Sequence, residues 1–61
     1  MEHIKKLLET PGYTLKILFF RGEYFGEILN GENAMMGNRS PSLDLLISAL
    51  NAACCNYMYG V

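Results

Sequence analysis

The chain has 61 residues, of which 51% are hydrophobic and only 18% charged, and it carries a formal net charge of -1. So short a chain makes one domain, which buries only about 60% of the surface its unfolded form exposes and so has a core that barely offsets chain entropy. The near-neutral balance argues against a strongly charged nucleic-acid binder and against a DNA mimic, whose charge density would be far higher than Glu23, Glu27 and Glu32 provide.

Cys54 and Cys55 are adjacent, a spacing unsuited to ordinary disulfide geometry, so a disulfide framework is not expected. Two unpaired thiols, and no signal-like apolar run in residues 1–9, point to the cytosol. No stretch reaches the roughly 20 apolar residues of a membrane span, so no membrane partner is expected. The charged fraction lies below the about 25% of ordinary domains, which predicts apolar surface left exposed unless a partner covers it.

Taken in chain order, Ile4, Leu7 and Leu8 follow helical spacing, with Met1 one turn earlier and Glu2, Lys5, Lys6 and Glu9 opposite. A short helix over residues 2–9 follows. Thr10-Pro11-Gly12 ends it. A helix of two turns is too short to stand alone and must lie on something.

Residues 13–20 and 23–29 predict a β-hairpin turning at Arg21-Gly22, with a one-residue bulge at Gly22 as the alternative. A two-residue loop sets Phe20 opposite Glu23, Phe19 opposite Tyr24, Leu18 opposite Phe25, Ile17 opposite Gly26, Lys16 opposite Glu27 and Leu15 opposite Ile28. One face then holds Leu15, Ile17, Phe19, Tyr24, Gly26 and Ile28 and reads as core. The second holds Thr14, Lys16, Leu18, Phe20, Glu23, Phe25, Glu27 and Leu29, with Lys16 and Glu27 as an opposite-charge cross-strand pair. Leu18, Phe20, Phe25 and Leu29 are too apolar for a face that meets only water. Either the first helix covers them, making a three-layer domain, or part of this face is a partner surface.

Asn30-Gly31 signals a second turn, after which residues 32–36 either return as a short third strand or run as a loop. As a strand, they would place Met35 on the core face beside Gly26. Gly37-Asn38-Arg39 reads as a break. Ser40 as N-cap and Pro41 at the first helical position open the long helix, and Asp44 complements its dipole. Leu43, Leu46, Ile47, Leu50, Cys54 and Tyr57 form a stripe that covers the sheet, and Asp44, Ser48, Asn51 and Cys55 form the wet side. A flanking strip of Leu45, Ala49, Ala52 and Ala53 is small enough for a second helix to approach, and Gly60 is the stop. The fold class is therefore α+β: a short N-terminal helix, a two- or three-stranded antiparallel sheet, and a long C-terminal helix packed on it, as a single domain over residues 1–61.

Chemical constellations are sparse. His3 is the only histidine and lies far in sequence from the thiols, so a nucleophile–base pair is not indicated. His3, Cys54 and Cys55 are too few and wrongly spaced for a metal. Gly22, Gly26, Gly31 and Gly37 are turn and packing glycines, not a phosphate loop. Tyr13, Phe19, Phe20, Tyr24 and Phe25 would suit base stacking, but only Lys5, Lys6, Lys16, Arg21 and Arg39 supply positive charge. No catalytic, cofactor-binding or metal residue is expected.

From Gly12 to Cys54 the layout resembles the sheet-and-helix module of HicB-type antitoxins, through Gly12-Tyr13, Gly22, Gly37, Ser40 and Ala49. The acidic residue that usually precedes the helix alanine in that family is absent, and no DNA-binding segment follows the helix in this sequence. The resemblance thus implies the module without the family's repressor function. In size and composition the chain is also similar to the small proteins that bacteriophages direct against host machinery. The expectation is a non-enzymatic, homodimeric, phage-type inhibitor of a host defence or regulatory protein. It would bind through Leu18, Phe20 and Phe25 on the sheet or through Leu45, Ala49 and Ala52 on the helix. A small nucleic-acid-binding or antitoxin-like regulator using Lys5, Lys6, Arg21 and Arg39 is the alternative.

Overall fold

Helix α1 (Glu2–Leu8), strands β1 (Tyr13–Phe20), β2 (Glu23–Asn30) and β3 (Asn33–Ser40), and helix α2 (Leu43–Tyr59) follow one another in the computed structural model, which describes residues 1–60. The strands form one antiparallel sheet in the order β1-β2-β3, and α2 packs on it, an α+β architecture.

The first hairpin has the register its loop length dictates, from Phe20 opposite Glu23 to Leu15 opposite Ile28, and continues to Tyr13 opposite Asn30. Arg21 and Gly22 both take positive φ, 52° and 81°, the turn geometry that matches the right-handed twist of the strands, and no bulge forms. The Arg21 guanidinium lies 5.2 Å over the Phe20 ring, which compensates in part for the rarity of a non-glycine residue at that position. Lys16 Nζ reaches Glu27 Oε1 at 3.9 Å, the expected cross-strand pair.

The third strand forms and is longer than residues 32–36. Gly37, Asn38 and Arg39, expected to break the chain, pair with Glu27, Gly26 and Phe25. The register shifts by one residue between Ile28 and Leu29, so Leu29 meets Ala34 and Ile28 meets Met36. This bulge turns Met35 outward and puts Met36 against the core, the reverse of the expectation. The room beside Gly26 is filled from α2 instead: a Cβ there would lie 2.8 Å from Leu50 Cδ1 and 3.1 Å from Leu46 Cδ2. Gly26→Ala should therefore cost about 1–3 kcal/mol through overpacking, read as a lower urea midpoint.

Pairing with Tyr24 draws Ser40 into β3, so the helix opens two residues later than expected. Ser42, not Ser40, is the N-cap, its Oγ accepting the Leu45 amide at 3.4 Å. Pro41 precedes the cap, and the buried Ser40 accepts the Ser42 amide at 3.1 Å. At the other end Gly60 takes φ 68° and donates its amide to the Asn56 carbonyl at 2.9 Å.

Ile4, Leu7, Ile28, Leu46, Leu50 and Cys54 make the core. Ile4 and Leu7 belong to α1, so that helix lies in the same layer as α2 and does not cover the second face of the sheet. The three-layer arrangement is thereby overturned. The reason lies at the start of α1, where Met1 provides no side-chain cap. Asn51 Oδ1, on α2, accepts the amides of His3 at 2.8 Å and Ile4 at 3.2 Å. Asn51 was expected on the wet side; it caps α1 from a neighbouring helix. Asn51→Ala should destabilise by about 1–2 kcal/mol, lowering Tm by roughly 4–8 °C per kcal/mol. Asn51→Asp keeps the acceptor and should retain most of the stability, as thermal unfolding followed by circular dichroism would show.

Candidate protein-docking surface

With both helices on one side, the other side of the sheet has no covering element among the described residues. Its rows follow from the register: Leu18, Phe25 and Arg39 abreast; Lys16, Glu27 and Gly37 abreast; Thr14, Leu29 and Ala34 abreast; and Phe20 beside Glu23 at the hairpin end. Leu18 is 54% exposed and Phe20 60%, while Phe25, on the central strand, is half-buried between its neighbours. Gly37 has no side chain to fill its place on this face. The result is a shallow depression of about 360 Å³ bordered by Lys16, Leu18, Phe25, Glu27, Gly37 and Asn38. It has an apolar wall and an ion pair on its rim, the pattern of an apolar centre with a polar margin found at protein interfaces.

The six residues proposed for partner binding do not form one site. Leu18, Phe20 and Phe25 share the open sheet face, while Leu45, Ala49 and Ala52 lie on α2, in the layer on the other side of the sheet. On α2, Leu45 is 63% exposed and Ala52 exposed, whereas Ala49 and Ala53 are half-buried. Leu45 is the only large apolar side chain of that strip.

A further apolar region was not foreseen. Ile17 and Phe19 point to the helix side yet are exposed, Phe19 by 61%. The cause is geometric. Helix α2 lies over β2 and β3 and meets β1 through the Tyr57–Tyr13 pair, while α1 lies against β1. A seven-residue helix rises about 10 Å, while an eight-residue strand runs about 26 Å. The half of β1 beyond α1 is therefore bare on both faces, and Phe19 packs against Tyr24, with ring centroids 4.7 Å apart. Comparing the two predicted lengths would have exposed this. The ends of the α2 stripe are likewise outside the core, with Leu43 and Tyr57 both exposed. Tyr57 instead meets Tyr13, hydroxyl to hydroxyl at 2.9 Å, a bond that raises the Tyr13 pKa.

The titratable groups are dispersed. Cys54 is buried, its Sγ 3.5 Å from Met36 Sδ, and burial pushes its pKa up. Cys55 is half-buried. The His3 ring contacts Tyr59 edge-on at 5.8 Å, and its Nδ1 has no hydrogen-bond partner among the described residues. No hydrogen bond joins His3 to either thiol among the described residues, and none of the described His, Cys, Asp and Glu side chains gather in threes. Iodoacetamide should therefore label Cys55 more than about ten times faster than Cys54, whose reaction waits on local opening. Because burial favours the protonated Cys54 thiol, its contribution to stability is complete at neutral pH and declines once pH rises above the ordinary thiol range. Lys5 and Lys6 project from α1, Arg21 sits at the hairpin tip and Arg39 lies on the open face, so the basic residues are divided between the two layers.

No family model matches the chain, and neither a curated protein nor a solved structure is detectably similar to it. No helix among the described residues is long and apolar enough to cross a membrane.

Proposed function

We propose that the chain is a non-enzymatic protein-binding module that docks another protein on the open face of its sheet. The carrying observation is that Leu18 and Phe20 stand exposed beside Phe25 on a face that neither helix covers. Burying each large apolar side chain yields about 1.5–3 kcal/mol, and a few such residues at the centre of an interface supply most of its binding energy. The Gly37 depression gives this face relief that admits an apolar side chain of the partner, and the Lys16–Glu27 pair borders it.

The small size and greasy composition of the chain favour a phage-type inhibitor of a host defence or regulatory protein, acting in the cytosol as a homodimer. Affinity capture with the tagged chain tests this reading when a variant altered only on the open face, Leu18→Glu with Phe25→Glu, is run beside it.

A further inference from the structure

A three-stranded sheet has two edges, and here they differ. Strand β3 is guarded: it is bulged opposite Ile28 and Leu29, it carries Gly37, Asn38 and Arg39, α2 lies over it, and Asn38 Oδ1 accepts the Arg39 amide at 2.8 Å. Strand β1 is unguarded. It is regular over eight residues, and Ile17, Leu18, Phe19 and Phe20 are exposed in succession, which places apolar side chains on both faces of one free edge. Natural edge strands are usually kept short, bulged, charged or covered, because an unpaired apolar edge pairs with another strand. The one charged residue of β1, Lys16, is drawn toward Glu27 across the sheet.

From these observations we infer that β1 is the seam between two copies of this chain, which join edge to edge, antiparallel, into a continuous six-stranded sheet. The inference rests on the homodimeric half of the proposed function, not on the identity of the target.

The backbone chemistry follows from the hairpin. A two-residue loop is flanked by a pair that exchanges both main-chain hydrogen bonds, and such pairs alternate from there. Phe20, Leu18, Lys16 and Thr14 thus direct their amides and carbonyls at β2, while Phe19, Ile17 and Leu15 direct theirs outward. A two-fold axis at Ile17, perpendicular to the sheet, sets Ile17 against its own copy and Phe19 against Leu15 on the helix side. On the open side it sets Leu18 against Lys16. Each facing pair lies on the same face, and no two like charges stand directly opposite.

A second copy fits better than an unrelated strand for two reasons. The first is that the edge is self-complementary: the bare half of β1 in one copy meets the half flanked by α1 in the other. The second is area. Phe19 and Phe20 are 61% and 60% exposed. At about 150–250 Å² per aromatic side chain the two present roughly 200–300 Å² in each copy. With Ile17, Leu18 and the strand backbone, the area that both copies expose along this edge comes to about 1,000 Å², the size at which a specific interface begins.

Analytical ultracentrifugation of the whole chain tests the seam. At micromolar concentration the expected mass is twice the 6.9 kDa of one chain. Ile17→Pro removes an outward amide without touching the β1–β2 ladder, and Phe19→Lys charges the seam. Each should weaken association about 100-fold while far-ultraviolet circular dichroism stays native, and Leu45→Glu on α2 should leave the dimer intact. A monomeric wild type, a dimer that survives Ile17→Pro, or a dimer lost with Leu45→Glu overturns the seam.

Should both β1 variants fail to fold, hydrogen exchange of the wild type decides. Ile17 and Phe19 amides protected in proportion to protein concentration support the seam, and rapid exchange at every concentration rejects it. A monomeric wild type that still captures a host protein sinks the seam alone, leaving the protein-binding reading in place.

Discussion

Leu50→Ala should remove at least about a quarter of the chain's stability, the largest loss expected of any single truncation here. Leu50 is fully buried on α2, and its Cδ1 occupies the space that Gly26 leaves on the central strand. Truncation opens a cavity between helix and sheet, where the backbone of β2 cannot collapse inward without breaking its pairing on both sides. Such losses cost about 2–5 kcal/mol. A domain of this length holds roughly 3–9 kcal/mol in all, so the change removes from about a quarter of the stability to all of it. Urea unfolding followed by circular dichroism should show the midpoint falling toward zero denaturant. Leu45→Ala is the matched control, because Leu45 lies on the same helix but is mostly exposed, and it should change stability by no more than about 0.5 kcal/mol.

The second large effect falls on binding. Leu18→Glu with Phe25→Glu places two carboxylates in the middle of the open face, beside Glu27 and at the mouth of the Gly37 depression. Docking a partner there would lose both apolar contacts and desolvate two carboxylates, a cost that Arg39, abreast of position 25, offsets only in part, so affinity should fall by more than about 100-fold, or roughly 3 kcal/mol. Leu18 projects into solvent and its change is nearly neutral for folding, while Phe25 is only half-buried. The double variant should therefore stay folded and lose less stability than Leu50→Ala.

The first hairpin was legible because its information is local. Phe20 to Glu23 spans a two-residue loop, loop length fixes register, and the Lys16–Glu27 pair and the alternation of apolar residues agree with it. The core of α2 was legible for the same reason, as Leu46, Leu50 and Cys54 repeat at helical spacing.

What escaped depends on contacts distant in sequence. The bulge that exchanges Met35 for Met36 arises from how β3 seats under α2, which no period in residues 32–40 reveals. Ser40 and Ser42 are equally good caps by residue type, and pairing of Ser40 with Tyr24 chose between them. Asn51 reads as a polar residue on a wet helix face until α1 arrives with two uncapped amides 47 and 48 residues away in sequence. That one capping interaction, together with Ile4 and Leu7, places α1 beside α2.

The candidate surface inherits this split. Leu18, Phe20 and Phe25 were visible as an excess of apolar residues on one face of a hairpin, but whether that face was covered depended on where a two-turn helix came to rest. The exposure of Ile17 and Phe19 required comparing the reach of α1 with the length of β1, a relation between elements and not a pattern within either.

Docking on the open face is read most directly from what that face retains. The tagged wild type and the Leu18→Glu/Phe25→Glu variant are to be loaded in equal amount on a matrix, passed through the same host lysate, and the bound protein quantified. A protein retained in stoichiometric amount by the wild type and lost from a variant that stays folded, with the oligomeric state of the wild type, is the predicted result. Equal retention by both, or no protein retained by the wild type, would contradict docking on this face.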